Sequence, residues 1–383
     1  MKYLLLLLTL FFLTGCAPAE NTHIPETTLP AETVLSTEEI TLPPPTETEP
    51  PDPLQLLLES MSLEERVGQL FLARCTAASA IEDIQNYHLG GYVLFGIDFQ
   101  DQTPDSMRSI ITSYQDTAKI PLLIAVDEEG GTVTRVSRYP QYRSSPFPSP
   151  RTLYTMGGME AVLEAEQEKC GLLYSLGINV NLAPVCDIST QPGAILYQRS
   201  LGQDAQITSE FISQTVVLME QHQIGSVLKH FPGYGDNADT HVQIAYDQRS
   251  LEALEGCDLL PFRAGIDAGA DAIMVSHNIV EALDPEYPAS LSPAVHTYLR
   301  QNMGFEGVIL TDDLVMNAIT EQYGAGEAAV LAVLAGNDLI CATEYAVQYQ
   351  AVLDAVLSGR IDYYTLTDAV LRILRWKQEL GLI

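Results

Sequence analysis

The sequence predicts a (β/α)8 barrel of the TIM type, formed by a single domain. Two observations predict it. From about residue 60 onward, eight short apolar runs alternate with amphipathic helical patterns, as in a parallel sheet with crossover helices. Polar or ionisable residues also recur where those runs stop: Asp127, Asn181, Lys229-His230, Ser276-His277 and Thr311-Asp312. In a barrel such positions converge on one face, whereas an open doubly wound sheet gathers only those beside its switch point. No G-x-G-x-x-G follows an early run and no P-loop motif is present, so the open nucleotide-binding sheet has no support.

The chain begins MKYLLLLLTLFFLTGC. One lysine precedes an apolar run of about ten residues, too short to span a bilayer and suited to an export signal. The run ends in Leu13-Thr14-Gly15-Cys16, which resembles the lipobox of bacterial lipoproteins. That resemblance implies cleavage before Cys16 and acylation of Cys16, placing the protein on the extracytoplasmic face of the cell membrane. Several acyl chains hold where one alone is marginal. Residues 17–52 are rich in Pro, Thr and Glu, include Pro43-Pro44-Pro45 and contain no Lys or Arg. Lacking hydrophobic periodicity, they read as an extended disordered tether. The expected organisation is therefore a signal peptide over 1–15, a lipidated cysteine and tether over 16–52, and the barrel over 53–383.

Ser62 with Glu65 forms a capping-box pattern that opens a first helix. Strands are expected near Gln69–Ala73, Gly91–Phe95, Leu122–Val126, Asn179–Ala183, Ser226–Lys229, Ala272–Val275, Val308–Leu310 and Asp338–Cys341. Helical patterns between them cover Met159–Leu176, Ala205–Gln221, Leu251–Ala268 and Gly326–Ala335.

The 46% hydrophobic fraction suffices for a sizeable core. A net charge of −31 with no basic stripe argues against nucleic acid as a partner. The six cysteines show no C-x-x-C spacing and the seven histidines no zinc-ligand spacing, so no metal site and no cofactor are expected. Apart from Cys16, the cysteines read as buried unpaired thiols. The sequence leaves the oligomeric state open.

The densest segment is Gly225-Ser-Val-Leu-Lys-His-Phe-Pro-Gly-Tyr-Gly-Asp-Asn-Ala-Asp-Thr-His241. A strand delivers Lys229 and His230 to its end, and the following loop carries Asp236, Asp239 and His241. An Asp two residues before a His can orient the ring and raise the basicity of its other nitrogen. A second run, Val308-Ile-Leu-Thr-Asp-Asp313, ends in adjacent carboxylates. Asp312 is placed to act as nucleophile or base, and Asp313 suits a helix N-cap. The third, Asp127-Glu-Glu-Gly-Gly-Thr-Val-Thr-Arg135, offers Asp127 to paired sugar hydroxyls, with Arg135 able to return to the same pocket. Arg199-Ser-Leu-Gly202 adds a cation in a loop after Asn181-Leu-Ala-Pro-Val-Cys-Asp187.

Taken together, and in this order, these segments resemble the β-N-acetylglucosaminidase branch of glycoside hydrolase family 3. The resemblance implies a retaining exo-glycosidase acting on terminal β-linked N-acetylglucosamine, with peptidoglycan fragments or other cell-surface glycans as the expected source. It implies Asp312 as nucleophile, His241 as acid/base paired with Asp239, and Asp127, Arg135, Arg199, Lys229 and His230 as binders of the terminal sugar. Two positions depart from the family pattern: Thr132 stands where it carries Arg, and Tyr234 where it carries His. A phosphorylase or β-glucosidase of the same family is the alternative enzyme. A non-catalytic surface glycan-binding lipoprotein is the alternative of another class.

Overall fold

A computed structural model describes residues 52–237 and 245–383. The lipobox cysteine Cys16, and Asp239 and His241, lie outside the described residues. Eight parallel strands follow in chain order: β1 Phe71–Arg74, β2 Gly91–Leu94, β3 Leu123–Val126, β4 Val180–Asn181, β5 Gly225–Phe231, β6 Ala272–Val275, β7 Val308–Thr311 and β8 Ile340–Ala342. They lie in the order β8-β1-β2-β3-β4-β5-β6-β7. The last seam, between β7 and β8, is joined by a parallel bridge from Leu310 to Leu339. Asp338 reinforces that seam: its carboxylate accepts from the Ile309 N–H at 2.8 Å and pairs with Arg300 at 2.6 Å and Arg372 at 2.9 Å. The result is the expected (β/α)8 barrel, nearly closed.

Period-two alternation builds its layers. Leu123 and Ala125 of β3, Ala272 and Met274 of β6, and Val308 and Leu310 of β7 join the interior cluster. Their neighbours Ile124 and Val126 pack outward against the helices, as do Ile273, Val275 and Ile309 on the opposite wall. Burying each such aliphatic side chain contributes about 1.5–3 kcal/mol. Every strand matches its expected position to within about two residues.

The helices depart more. The Ser62–Glu65 capping box forms in both directions. The helix expected from Met159 begins at Pro150 and breaks at Gly157-Gly158, so Met159 is where it resumes. The segment expected as one helix over Leu251–Ala268 is two, Leu251–Glu255 and Leu259–Asp267. Asp313 is not a helix N-cap. It accepts instead from the Val315 and Thr343 N–H groups and the Thr343 hydroxyl, tying β7 to β8. Cys75, Cys170, Cys186 and Cys341 are buried free thiols, and Cys257 is half-buried.

The final helix, Tyr363–Glu379, closes the amino end of the barrel by inserting Ile373 and Trp376 into the interior cluster. Gly225 at the start of β5 makes room: a Cβ there would lie 2.9 Å from the indole. On the same helix Lys377 is fully buried, its ammonium donating to Gln69 Oε1 at 2.7 Å. Burial pushes its pKa down to about 7. Because the unfolded value is about 10.4, the unfolded chain holds a proton that the folded chain has released between these two values. Stability therefore rises with pH across that window. We predict that Lys377→Met raises Tm at neutral pH and flattens its rise toward pH 10. Thermal melts at several pH values check this; a variant with the slope unchanged would contradict it.

Candidate active site

The carboxyl ends of the strands surround a cavity of about 600 Å³, lined among others by Asp127, Arg135, Arg199, Lys229, His230 and Asp312. The structure thus brings together all six of these expected site residues. The size suits a sugar-scale ligand.

Beyond β3 the chain stays extended, so side chains continue to alternate. Asp127 and Glu129 take part in the pocket's ion pairs, while Glu128 is turned into the protein. Glu128 accepts the Arg135 N–H at 2.8 Å, the Val136 N–H at 2.7 Å and the Ser137 hydroxyl. These bonds fold the following loop back so that Arg135 stands 3.6 Å from Asp127. The reversal needs glycine: Gly130 has φ +104°, and a Cβ there would meet the Pro148 carbonyl oxygen at 2.4 Å. Thr132, at the tip of this turn, is exposed. Asn181, the last residue of β4, holds the start of the loop by accepting the Glu128 N–H at 2.9 Å and donating to the Glu128 carbonyl at 3.2 Å.

Glu129, 1% exposed at its side chain, is the hub. It receives Arg199 through Nε at 2.8 Å and Nη2 at 2.7 Å, and Lys229 at 2.6 Å. Lys229 also donates to Asp127 at 2.8 Å. Burial alone would raise the Glu129 pKa, but Arg199 and Lys229 outweigh it and hold the carboxyl far below its usual range. Burial opposes the charge on Lys229 too, and Asp127 and Glu129 reverse that, keeping it above an ordinary lysine.

His230 is fixed from both sides. Its Nε2 lies 3.2 Å from Arg199 Nη2, and a guanidinium can only donate, so Nε2 accepts. The ring proton is therefore on Nδ1, which donates to Asp187 at 2.7 Å. Asp187 also accepts the N–H groups of His230 at 2.9 Å and Tyr234 at 2.6 Å. Tyr234 is buried with its ring edge-on to His230. The described residues flanking 238–244 are tied down. Asp236 accepts from Ser189 at 2.9 Å and from Thr190 and Gln191, and Asp247 pairs with Arg249 at 2.6 Å.

Asp312 lies just past β7. Its side chain has one hydrogen bond among the described residues, from the Asp313 N–H at 2.8 Å. Burial would raise its pKa; the His277 and His230 rings, that N–H and Lys229 reverse the effect and hold it below the ordinary carboxylate value. An ionised oxygen with no ion-pair partner among the described residues suits a nucleophile. His277 stands behind it, with Nε2 donating to the Asp313 carbonyl at 3.1 Å and Nδ1 2.7 Å from the Ser290 hydroxyl. Among the described residues, no group of three His, Cys, Asp or Glu side chains could hold a metal ion.

The parallel barrel gathers an ionised carboxylate and a compensated array of acids and bases at its carboxyl end, where enzymes of this fold keep their active sites. The chain belongs to glycoside hydrolase family 3: the model of the glycosyl hydrolase family 3 N terminal domain matches residues 62–376. It is therefore a glycoside hydrolase. A protein named β-hexosaminidase from Xylella fastidiosa (strain M12) is 35% identical over 249 residues, covering 63% of this chain and 72% of its own. One of the same name from Nitrosomonas eutropha is 32% identical over 307 residues, covering 75% and 86%. Among solved structures, a glycoside hydrolase family 3 β-N-acetylglucosaminidase from Paenibacillus sp. superposes with a TM-score of 0.79 at 34% identity. That match covers 84% of this chain and 63% of the Paenibacillus chain. A β-N-acetylhexosaminidase from Beutenbergia cavernae superposes with a TM-score of 0.73 at 27% identity, covering 83% and 99%.

Sequence reasoning missed Glu129 and Asp187 as site residues. Strand alternation past Asp127 was the signal for Glu129. Asp187 closes the Asn181–Asp187 segment that carries part of the resemblance, but its role depends on partners 43 and 47 residues away. The hub yields a prediction. Because the Glu129 pKa is depressed in the fold, its contribution to stability is complete above the unfolded value of about 4.3 and is lost as pH falls below it. Glu129→Gln should therefore be less stable than wild type at neutral pH, with the gap narrowing in acid. It should also lower kcat/KM by about 100-fold, because Lys229 and Arg199 lose their fixed positions. Urea titrations across pH and steady-state kinetics check both; equal stability at neutral pH would remove Glu129 from its central place.

Proposed function

We propose that this enzyme is a retaining exo-β-N-acetylglucosaminidase, held on the extracytoplasmic face of the cell membrane by a lipid on Cys16 and acting on peptidoglycan fragments or other cell-surface glycans. The observation that carries the chemistry is Asp312, ionised in the pocket with, among the described residues, a single main-chain hydrogen bond. Its free oxygen attacks the anomeric carbon of the terminal sugar, and the bond from that carbon to the leaving oxygen breaks. His241, oriented by Asp239, gives its proton to the leaving oxygen. It then takes a proton from the water that cleaves the glycosyl–Asp312 ester, and two inversions give net retention. Asp127, Arg135, Arg199, Lys229 and His230 hold the sugar's hydroxyls, with Asp127 and Arg135 the most open of the paired charges at 18% and 24% side-chain exposure. The roles of His241 and Asp239 rest on their place in the family motif. The name of the relatives and the Paenibacillus neighbour support the sugar.

The test is release of chromophore from an aryl β-N-acetylglucosaminide by wild type, Asp312→Asn and His241→Ala, with and without phosphate. Asp312→Asn should lose about a thousandfold or more in kcat. His241→Ala should lose most on poor leaving groups and least on dinitrophenyl, which needs no proton. A slow substrate should leave one glycosyl group on the peptide containing Asp312. A rate unchanged in Asp312→Asn would shift the attack to the substrate's own acetamido group. Sugar 1-phosphate formed in phosphate would make the enzyme a phosphorylase.

Among the described residues no helix is long and apolar enough to cross a membrane. The proposed membrane retention rests on Cys16, through its place in the lipobox-like Leu13-Thr14-Gly15-Cys16. Cys16→Ser should lose labelling by radioactive palmitate and leave the membrane fraction; retention of both would overturn the anchor.

A further inference from the structure

The chain has 19 lysines and arginines against 50 acidic residues, yet two arginines, Arg74 and Arg135, share one aromatic ring, Phe95, on a flank of the pocket. Arg74 ends β1, where the strand delivers it to the pocket lining. Its guanidinium carbon lies 4.4 Å from the centre of the Phe95 ring, which Arg135 approaches at 5.6 Å. Arg138 packs beside the next residue, with Nη1 3.3 Å from where a Cβ on Gly96 would stand. Like charges gathered in this way repel one another unless an anion joins them.

The other cations lining the pocket are matched. Lys229 has Asp127 and Glu129, Arg199 has Glu129, and Arg135 has Asp127. The exposed Arg74 and Arg138 make no ion pair or hydrogen bond to any described residue; each is held only against an aromatic face. Asp98, whose carboxyl feels the charge of Arg74, is turned to the Phe95 N–H at 2.7 Å and makes no ion pair with Arg74. Arg135 adds a buried Nε with no hydrogen-bond partner among the described residues. A guanidinium whose face rests on a ring keeps its edge for a planar bidentate acceptor.

We propose that the Arg74–Phe95 flank is an anion subsite of the catalytic pocket, in which Arg74 binds an oxyanion carried by the substrate, namely a carboxylate on the glycan. The proposal rests on the glycosidase reading of the Asp312 pocket and deepens it: substrates bearing a carboxylate beside the scissile linkage are preferred to neutral ones. Inorganic phosphate shares this chemistry and is the other source of such an oxyanion.

The experiment uses the full chain and two disaccharides of terminal N-acetylglucosamine, identical except that the second sugar carries a carboxylate in one and the primary amide in the other. Wild type should favour the carboxylate by about tenfold in kcat/KM, the equivalent of one good charged contact, and mainly through KM. Arg74→Gln should bring the ratio near one, Arg74→Lys should keep part of it, and Arg138→Gln should reduce it less. The same ratio is read without turnover by calorimetric binding to Asp312→Asn. A wild-type ratio of one, or a ratio that survives Arg74→Gln, overturns the proposal. Phosphate-dependent release of sugar 1-phosphate that vanishes in Arg74→Gln would give the subsite to phosphate and overturn the carboxylate. If neither disaccharide is cleaved, the glycosidase reading fails, and the binding ratio still decides the subsite separately.

Discussion

The pocket depends on one constraint: the Glu129 carboxylate is buried, and a buried charge must be compensated. An unpaired ion in such a place costs several kcal/mol. The two cations that answer it come from different parts of the chain, Lys229 from β5 and Arg199 from the loop after β4. Each then has a second duty. Lys229 reaches on to Asp127, and Arg199 to His230. Satisfying a single carboxylate thus fixes the positions of four other polar groups before any substrate arrives. Preorganisation of this kind lets polar groups act on a sugar without first rearranging.

A second buried acid repeats the logic for shape. Asp187 takes three donors, two from His230 and one from the Tyr234 main chain. It therefore sets the ring tautomer of His230 and the path of the chain leaving β5. Glu128 does the same for the loop after β3, using the amides of Arg135 and Val136. Loops usually vary more than the strands they join. Here carboxylates turned away from the cavity clamp them, so that the barrel's rigidity extends into the residues lining the site.

How much of this was legible in the sequence follows from the range of the interactions. The strands could be read because alternation and apolar content are local. Asp127, Lys229, His230 and Asp312 could be read because each sits where an apolar run stops, and a barrel turns that position into an address. Arg74 obeys the same rule at the end of β1 but belongs to no motif, which is why it passed unnoticed. Glu129 was visible as a carboxylate in a glycine turn; that it would be the hub depended on Arg199, 70 residues away. The split of the helix expected over Leu251–Ala268 involves Asp258, buried and paired with Arg249. Periodicity cannot register that demand.

The two departures from the family pattern can now be weighed physically. The side chain at 132 projects from an exposed turn whose shape is set by Gly130 and by the Glu128 clamp, so replacing Arg with Thr there leaves the loop's supports intact. Tyr234 contributes its main-chain N–H to Asp187, and that bond is independent of the side chain. Neither change touches the charges around Glu129 or the setting of Asp312. A pocket that only held neutral glycans would gain nothing from a carboxylate kept ionised, half-buried and bonded, among the described residues, to one amide, because the oxygen left over is costly to desolvate. The same feature is useful when that oxygen must form a bond to carbon. The arrangement of Asp312 therefore favours catalysis over binding alone.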